Sequence, residues 1–302
     1  MERINTLNNH YRERFGEKIY KLSLDGGFTC PNRDGSIGTG GCIFCSAGGS
    51  GDFATDRSLS IKEQIQAAKD IFTVKNTGKK YIAYFQAFTN TYGPLSYLKK
   101  VYYEAMEPEE IVGLSIGTRP DCLPQETLDL LSEMNQIKPV YLELGLQTCH
   151  ESTAAFIRRG YPLEVFQDAV LRAKDAGLNV VVHIILGLPG ESKEMMFQTI
   201  HYLNSLPIDG IKMSMLHVLK QTDLADYYKQ TGFSTFEQDE YIDLVIDCLE
   251  LLRKDIVVHR MTGDGPKDLL IAPLWSLNKR AVLNGIQKRL KERNTWQGRK
   301  EG

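Results

Sequence analysis

The chain has 302 residues, 42% hydrophobic and 25% charged, with a formal net charge of −2. That is enough apolar material for one large α/β domain, and the balance carries no overall signature of nucleic-acid binding. No run of about 18 apolar residues occurs and the first residues, Met1 to Asn5, lack the apolar stretch of a secretory signal, so the sequence predicts no membrane span and a cytoplasmic location.

In chain order, a polar segment (1–17) precedes a series of strand-like apolar runs at Ile19–Leu24, Tyr81–Gln86, Val112–Ile116, Val140–Gly145, Val180–Leu186 and Ile211–Leu216. Amphipathic helices lie between them. One starts at Ser60, where Ser60 and Glu63 form a capping box; others are expected at Pro124–Asn135, at Leu163–Ala176 before Gly177, and at Glu191–Ser205 before Pro207. Strands alternating with helices of this length imply a parallel sheet. Six units exceed a small flavodoxin-like domain and fall short of a closed eight-fold barrel, so the expected core, residues 18–235, is a partial (β/α)6 barrel. A helix at Glu237–Lys254, a strand at Ile256–His259 and a basic tail are read as a C-terminal extension, residues 236–302.

From Lys279 onward there are eight Lys or Arg against Glu292 and Glu301. Such an asymmetry fits an arm that meets phosphates, or equally a solvated terminal helix.

Six cysteines in a reducing compartment point away from disulfides, and three of them lie in one Gly-rich loop after the first strand. Cys30, Cys42 and Cys45 have the spacing C-x11-C-x2-C, at the C-terminal end of a strand, where barrel active sites are built. Three thiolates hold three irons of a four-iron four-sulfur cluster and leave the fourth open to a non-protein ligand. A zinc site completed by His10 or another residue is compatible with the same cysteines. Cys122, Cys149 and Cys248 have no partner spacing and predict no second cluster.

The C-x-x-C pair with a third cysteine upstream, followed by strand-helix units, resembles the radical S-adenosylmethionine (SAM) superfamily, although the eleven-residue gap exceeds its usual first spacing. Glu143-Leu-Gly-Leu-Gln147-Thr, Ile157-Arg-Arg-Gly160, Leu186-Gly-Leu-Pro-Gly190 and Lys212–Leu219 resemble motifs of the branch containing the Elongator catalytic subunit. Phe85–Tyr92, Gly117–Cys122 and His259–Asp264 are similar to the MnmL (YtqA) family. The resemblance implies SAM and a four-iron four-sulfur cluster as cofactors, a one-electron donor such as flavodoxin or ferredoxin, and tRNA as partner. It also implies chemistry on the side chain of the wobble uridine, from carboxymethylaminomethyl toward aminomethyl. A small-molecule radical enzyme similar to the oxygen-independent coproporphyrinogen oxidases shares the Leu-Gly-x-Gln pattern, and a zinc-stabilised RNA-binding protein is the non-catalytic alternative.

Within that resemblance, strand alternation turns Glu143 and Gln147 to the barrel interior and the intervening leucines outward, and a buried carboxylate and amide call for a polar partner, for which SAM fits. The same count places Ser115 and Arg119 on one face of the third strand. Gln86 stands where the superfamily often has a Gly-Gly-Glu element, and an amide oxygen there can accept from SAM's amino group. Arg159 is expected to hold the SAM carboxylate, with a favourable helix C-terminus as its alternative role. Gly187 opens a turn whose backbone is placed to border adenine, or simply turns the chain. His183 reads as a satisfied interior residue, Trp275 and Trp296 as base-stacking or packing side chains, and Arg260 and Lys267 as part of the basic surface.

Overall fold

The structure, a computed structural model, describes residues 2–49, 51–73 and 79–301. Its elements run α1 (Leu7–Phe15), β1 (Tyr20–Leu24), α2 (Ile61–Thr73), β2 (Tyr81–Phe85), α3 (Leu95–Met106), β3 (Ile111–Thr118), α4 (Gln125–Asn135), β4 (Val140–Gln147), α5 (Glu151–Phe156), α6 (Leu163–Asp175), β5 (Asn179–Leu186), α7 (Lys193–Asn204) and β6 (Gly210–Met215). The chain ends with β7 (Val218–Leu219), α8 (Asp223–Thr231), α9 (Gln238–Leu251), β8 (Val257–Arg260), β9 (Leu270–Ala272) and α10 (Lys279–Glu292).

Seven strands form one parallel sheet in the order β1-β2-β3-β4-β5-β6-β8. The fold is thus the expected partial barrel, with one strand more than the six read from the sequence. The additional strand is the Ile256–His259 segment assigned to the extension, which pairs parallel with β6 through Gly210↔Val257 and Ile211↔Val258. The sheet curls: Lys21 on β1 and Lys212 on β6 both reach the carboxylate of Glu143 on β4.

Period-two alternation decides what each face meets. Leu142, Leu144 and Leu146 of β4 are fully buried in the main core, which also takes Phe166, Ala169, Val170 and Ala173 from α6. On the inner face, Ile82, Tyr141 and Val181 form an apolar layer with Ile19 and with Tyr11 of α1. These inward residues lie nearest the N-terminal ends of their strands, so α1 closes that end. The capping box at the start of α2 is present, with Ser60 N–H donating to Glu63 Oε2 at 2.8 Å and Glu63 N–H to Ser60 Oγ at 3.3 Å.

The basic tail is not a bare arm. Helix α10 packs on α9, whose acidic face takes its charges: Arg289 pairs with Asp243, Arg293 with Asp243 and Asp247 at 2.8 and 2.7 Å, and Lys300 with Glu250. Trp275 donates its Nε1–H to Phe236 O at 2.9 Å and packs on Tyr241, so it serves packing.

Candidate active site at the mouth of the curled sheet

The loop after β1 carries the three cysteines and is fixed by its own neighbours in sequence. Asn32, 4% exposed, donates to Arg158 O at 2.8 Å and lies 3.7 Å from Cys42 Sγ. Arg33 clamps the far end of the loop through Ser46 O at 2.5 Å and Cys45 O at 3.3 Å. Ile43 packs with Leu216, Val218 and Leu224, so the small β7–β9 ribbon and α8 seat the loop from outside. The Ile157–Gly160 motif supports it from below: Ile43 N–H donates to Ile157 O at 3.3 Å, and a Cβ on Gly160, which has φ +83°, would stand 2.7 Å from Asn32 Oδ1.

Cys30, Cys42 and Cys45 line one wall of a cavity of about 670 Å³ at the C-terminal ends of the strands, within the range of roughly 300–1,000 Å³ typical of small-molecule and cofactor sites. A hydrogen bond from Cys45, reinforced by Arg119 and Asn32, draws the Cys42 thiol down to about 7 against the opposing effect of burial. Three thiols on one wall of the cavity fit a four-iron cluster, which they would hold by three irons, leaving the fourth to a non-protein ligand. They do not fit the zinc alternative. Among the described residues no three His, Cys, Asp or Glu side chains gather closely enough to hold one metal ion, and His10 lies on α1 at the opposite end of the sheet.

The floor of the cavity is a buried charge cluster. Glu143, 1% exposed, accepts from Lys21 at 2.6 Å, Ser115 at 2.5 Å, His183 at 2.7 Å and Lys212. Burial pushes its carboxyl upward, but the two ammonium groups outweigh that and hold it well below the usual carboxylate range. Lys212 is lowered by burial and by neighbouring Lys21 and Arg260, so cations compete there for a single carboxylate. His183 is lowered to about 4 by burial and Lys212; its ring is neutral at pH 7 and donates to Glu143.

Five of the seven residues read as SAM contacts line the cavity: Gln86, Arg119, Glu143, Gln147 and Arg159. The structure revises several of the reasons. Glu143 finds its partners within the chain, so its burial does not in itself require a ligand. Arg159 spends its guanidinium on Tyr161 O (2.9 Å), Thr148 O (2.7 Å) and Glu151 (3.0 Å), and Arg119 on both oxygens of Asp121 (2.9 and 2.7 Å) and on Arg159 O (2.9 Å). Neither keeps a free fork for the SAM carboxylate. Instead the two guanidiniums flank the Tyr161 ring at 5.0 and 4.9 Å and build a wall. Ser115 lies beneath the floor, bonded to Glu143, and is absent from the lining. Gly187 is absent too: its φ of +86° and the approach of Phe236, 2.9 Å from where a Cβ would stand, make it a packing and turn glycine.

Gln147 is strained. It ends β4 at a bulge with φ +63°, a left-handed conformation uncommon outside glycine, and its amide folds back over Gly145, where an added Cβ would meet Nε2 at 2.6 Å. Gln147→Gly is expected to raise stability by about 1 kcal/mol, read as an increased thermal midpoint.

Sequence reasoning missed Tyr161, and it read Arg260 and the C-terminal segment as basic surface without bringing them into this cavity. Arg260, Asp264 and Lys279 line the cavity with His217, and Gly263 leaves room for that imidazole, 2.2 Å from where a Cβ would stand. At the mouth, Phe53 and Leu277 are 53% and 45% exposed.

With this geometry in place, comparison with known proteins gives a consistent answer. Residues 33–203 match the model of the Radical SAM superfamily and residues 208–292 that of the Radical_SAM C-terminal domain. The chain is 45% identical to YtqA of Bacillus subtilis over 298 residues, covering 99% of this chain and 92% of that one. It is 27% identical to a tRNA uridine(34) acetyltransferase of Methanocaldococcus jannaschii over 163 residues, 53% of this chain and 30% of that one. The archaeal Elp3 of Methanocaldococcus infernus shares the fold, with a TM-score of 0.70 at 17% identity, over 92% of this chain and 64% of that one. The chain belongs to the radical SAM superfamily and is an enzyme whose cofactors are a four-iron four-sulfur cluster and SAM.

Proposed function

We propose that this enzyme acts on the wobble-uridine side chain of tRNA, removing hydrogen from a carboxymethylaminomethyl group on the way toward aminomethyl. The observation that carries the reading is that the three cysteine thiols wall a cavity of about 670 Å³ with Phe53 exposed at its entrance, a volume that an extruded base would share with SAM. The similarity to a tRNA uridine(34) acetyltransferase supports the substrate class.

In this reading Cys30, Cys42 and Cys45 hold the cluster, and a donor such as flavodoxin or ferredoxin reduces it. When bound, cluster and SAM supply a carbon-centred radical that takes a hydrogen atom from an unactivated C–H bond. Gln86 and Gln147 offer amide groups to SAM's amino and ribose groups. The Arg119–Tyr161–Arg159 wall excludes water beside the reacting carbon. Phe53 stacks against the extruded base, and exposed Lys267 and Arg280, next in sequence to cavity-lining Pro266 and Lys279, meet phosphates. The paired charges of α10 leave less of the tail for that task than its composition suggests.

Two measurements test this in turn. Anaerobically reconstituted protein with SAM and dithionite is expected to form 5′-deoxyadenosine; none would sink the assignment of the cysteines. Nucleoside analysis of tRNA from a deletion strain is expected to show carboxymethylaminomethyl-uridine accumulating. Unchanged wobble-uridine products would remove tRNA as substrate and leave the radical chemistry standing.

A further inference from the structure

The cations of the cavity are almost all committed. Arg33 holds backbone carbonyls, Arg119 holds Asp121, and Arg159 holds carbonyls and Glu151. The carboxylates are engaged as well: Asp52 by Ser46 at 2.9 and 2.8 Å, Glu143 by its two lysines, and Asp264 by Lys279 at 2.9 Å to both oxygens. Arg260 differs. It ends β8 and lines the cavity, its side chain is 29% exposed, and among the described residues its guanidinium makes no hydrogen bond. One carboxylate oxygen, Asp264 Oδ2, lies within 4 Å of it, at 3.7 Å and already held by Lys279.

We propose that Arg260 is an anion subsite of the cavity, taking a carboxylate carried by the substrate, with the Lys279 ammonium beside it. This deepens the wobble-uridine reading and rests on it for the identity of that carboxylate.

Position favours a carboxylate over a backbone phosphate. Arg260 stands in register with Lys212, whose side chain is 5% exposed and belongs to the floor. Its charge also acts on Tyr84 and His183 in the floor and on His217 in the wall. A phosphodiester of a folded RNA stays at the rim, whereas a short side chain on an extruded base reaches inward. A planar guanidinium with open donors binds a carboxylate bidentately, a geometry that lysine cannot copy.

The experiment uses reconstituted enzyme with SAM bound and compares two ligands that differ in the carboxylate, the nucleosides 5-carboxymethylaminomethyl-uridine and 5-aminomethyl-uridine, each free and within tRNA. Wild type is expected to prefer the carboxylate-bearing member. Arg260→Met is expected to weaken binding of that member roughly 10- to 100-fold and to leave the other unchanged, with Arg260→Lys recovering part of the loss. Equal weakening of both would make Arg260 a phosphate or packing residue and overturn the subsite. Loss of substrate-free 5′-deoxyadenosine formation in Arg260→Met would place the guanidinium against SAM and overturn it likewise. If the preference holds for the free nucleosides while no tRNA is turned over, the tRNA reading fails and the subsite stands. If tRNA is turned over without the preference, the subsite fails and the reading stands.

Discussion

Cys42→Ala protein, reconstituted with iron and sulfide without oxygen, is expected to lose the broad visible absorbance of the cluster and to form no 5′-deoxyadenosine above background. The hydrogen bond from Cys45, with Arg119 and Asn32, favours the thiolate of Cys42 against burial, and the thiolate is the ligand form. Removing it leaves two thiols, too few to hold three irons. The same result is expected for Cys30→Ala and Cys45→Ala, which line the same wall. Cys149→Ala is the control. That sulfur accepts from Thr199 at 3.4 Å, away from the cavity lining, and the variant is expected to keep both absorbance and SAM cleavage. A colourless Cys149 variant, or a Cys42 variant with full absorbance, would move the cluster elsewhere.

Glu143→Gln should be among the most destabilising single changes in the chain. It leaves Lys21 and Lys212 facing an amide in the barrel interior, and breaking a buried charge pair by removing one partner costs about 3–5 kcal/mol, a large part of a typical domain's stability of about 5–15 kcal/mol. Chemical denaturation of the variant measures this. Substituting Lys212→Met in the same background is expected to restore part of the loss, because it removes the orphaned cation. The pH dependence has a fixed sign. Glu143 is held below its ordinary value of 4.5, so its contribution is fully present above that pH and falls away as the solution is acidified through the folded-state value. Glu143→Gln should therefore lose less stability than wild type on going from neutral to strongly acidic solution; parallel curves would mean that the carboxylate is not charged in the folded protein.

Much of this architecture was legible because the signals were local. The alternating Glu143-Leu-Gly-Leu-Gln147 run placed polar residues inward and leucines outward, and the Ser60/Glu63 box fixed the start of α2. Helix α3 was legible in principle: Leu98, Val101, Tyr102 and Ala105 lie on one buried face at helical spacing, although Gly93-Pro94 punctuates its start. What sequence could not give was pairing across distance. Arg159 had the right chemistry for a carboxylate, but whether its donors were free depended on carbonyls at positions 146 to 161 brought together by α5 and the end of β4. The charge of the C-terminal tail looked available because its acidic partners, Asp243 and Asp247, sit some forty-six residues earlier on a separate helix. Arg260 was visible as a basic residue, and only the seventh strand turned it into the cavity.

That seventh strand also sets a timetable. Val258 N–H donates to Asn5 O at 2.7 Å, and Gln297 N–H to Arg3 O at 2.9 Å, so β8 and the last turn of the chain lock the N-terminal segment in place. Contacts of such sequence separation form late in folding, after loop-closure entropy has been met. While the chain is being synthesised, the cysteine loop and the first six strands emerge before the wall bearing Arg260 exists. The wall bearing Arg260 therefore cannot be completed until β8 has been made and has paired with β6, so the cavity is the joint product of the two ends of the described chain.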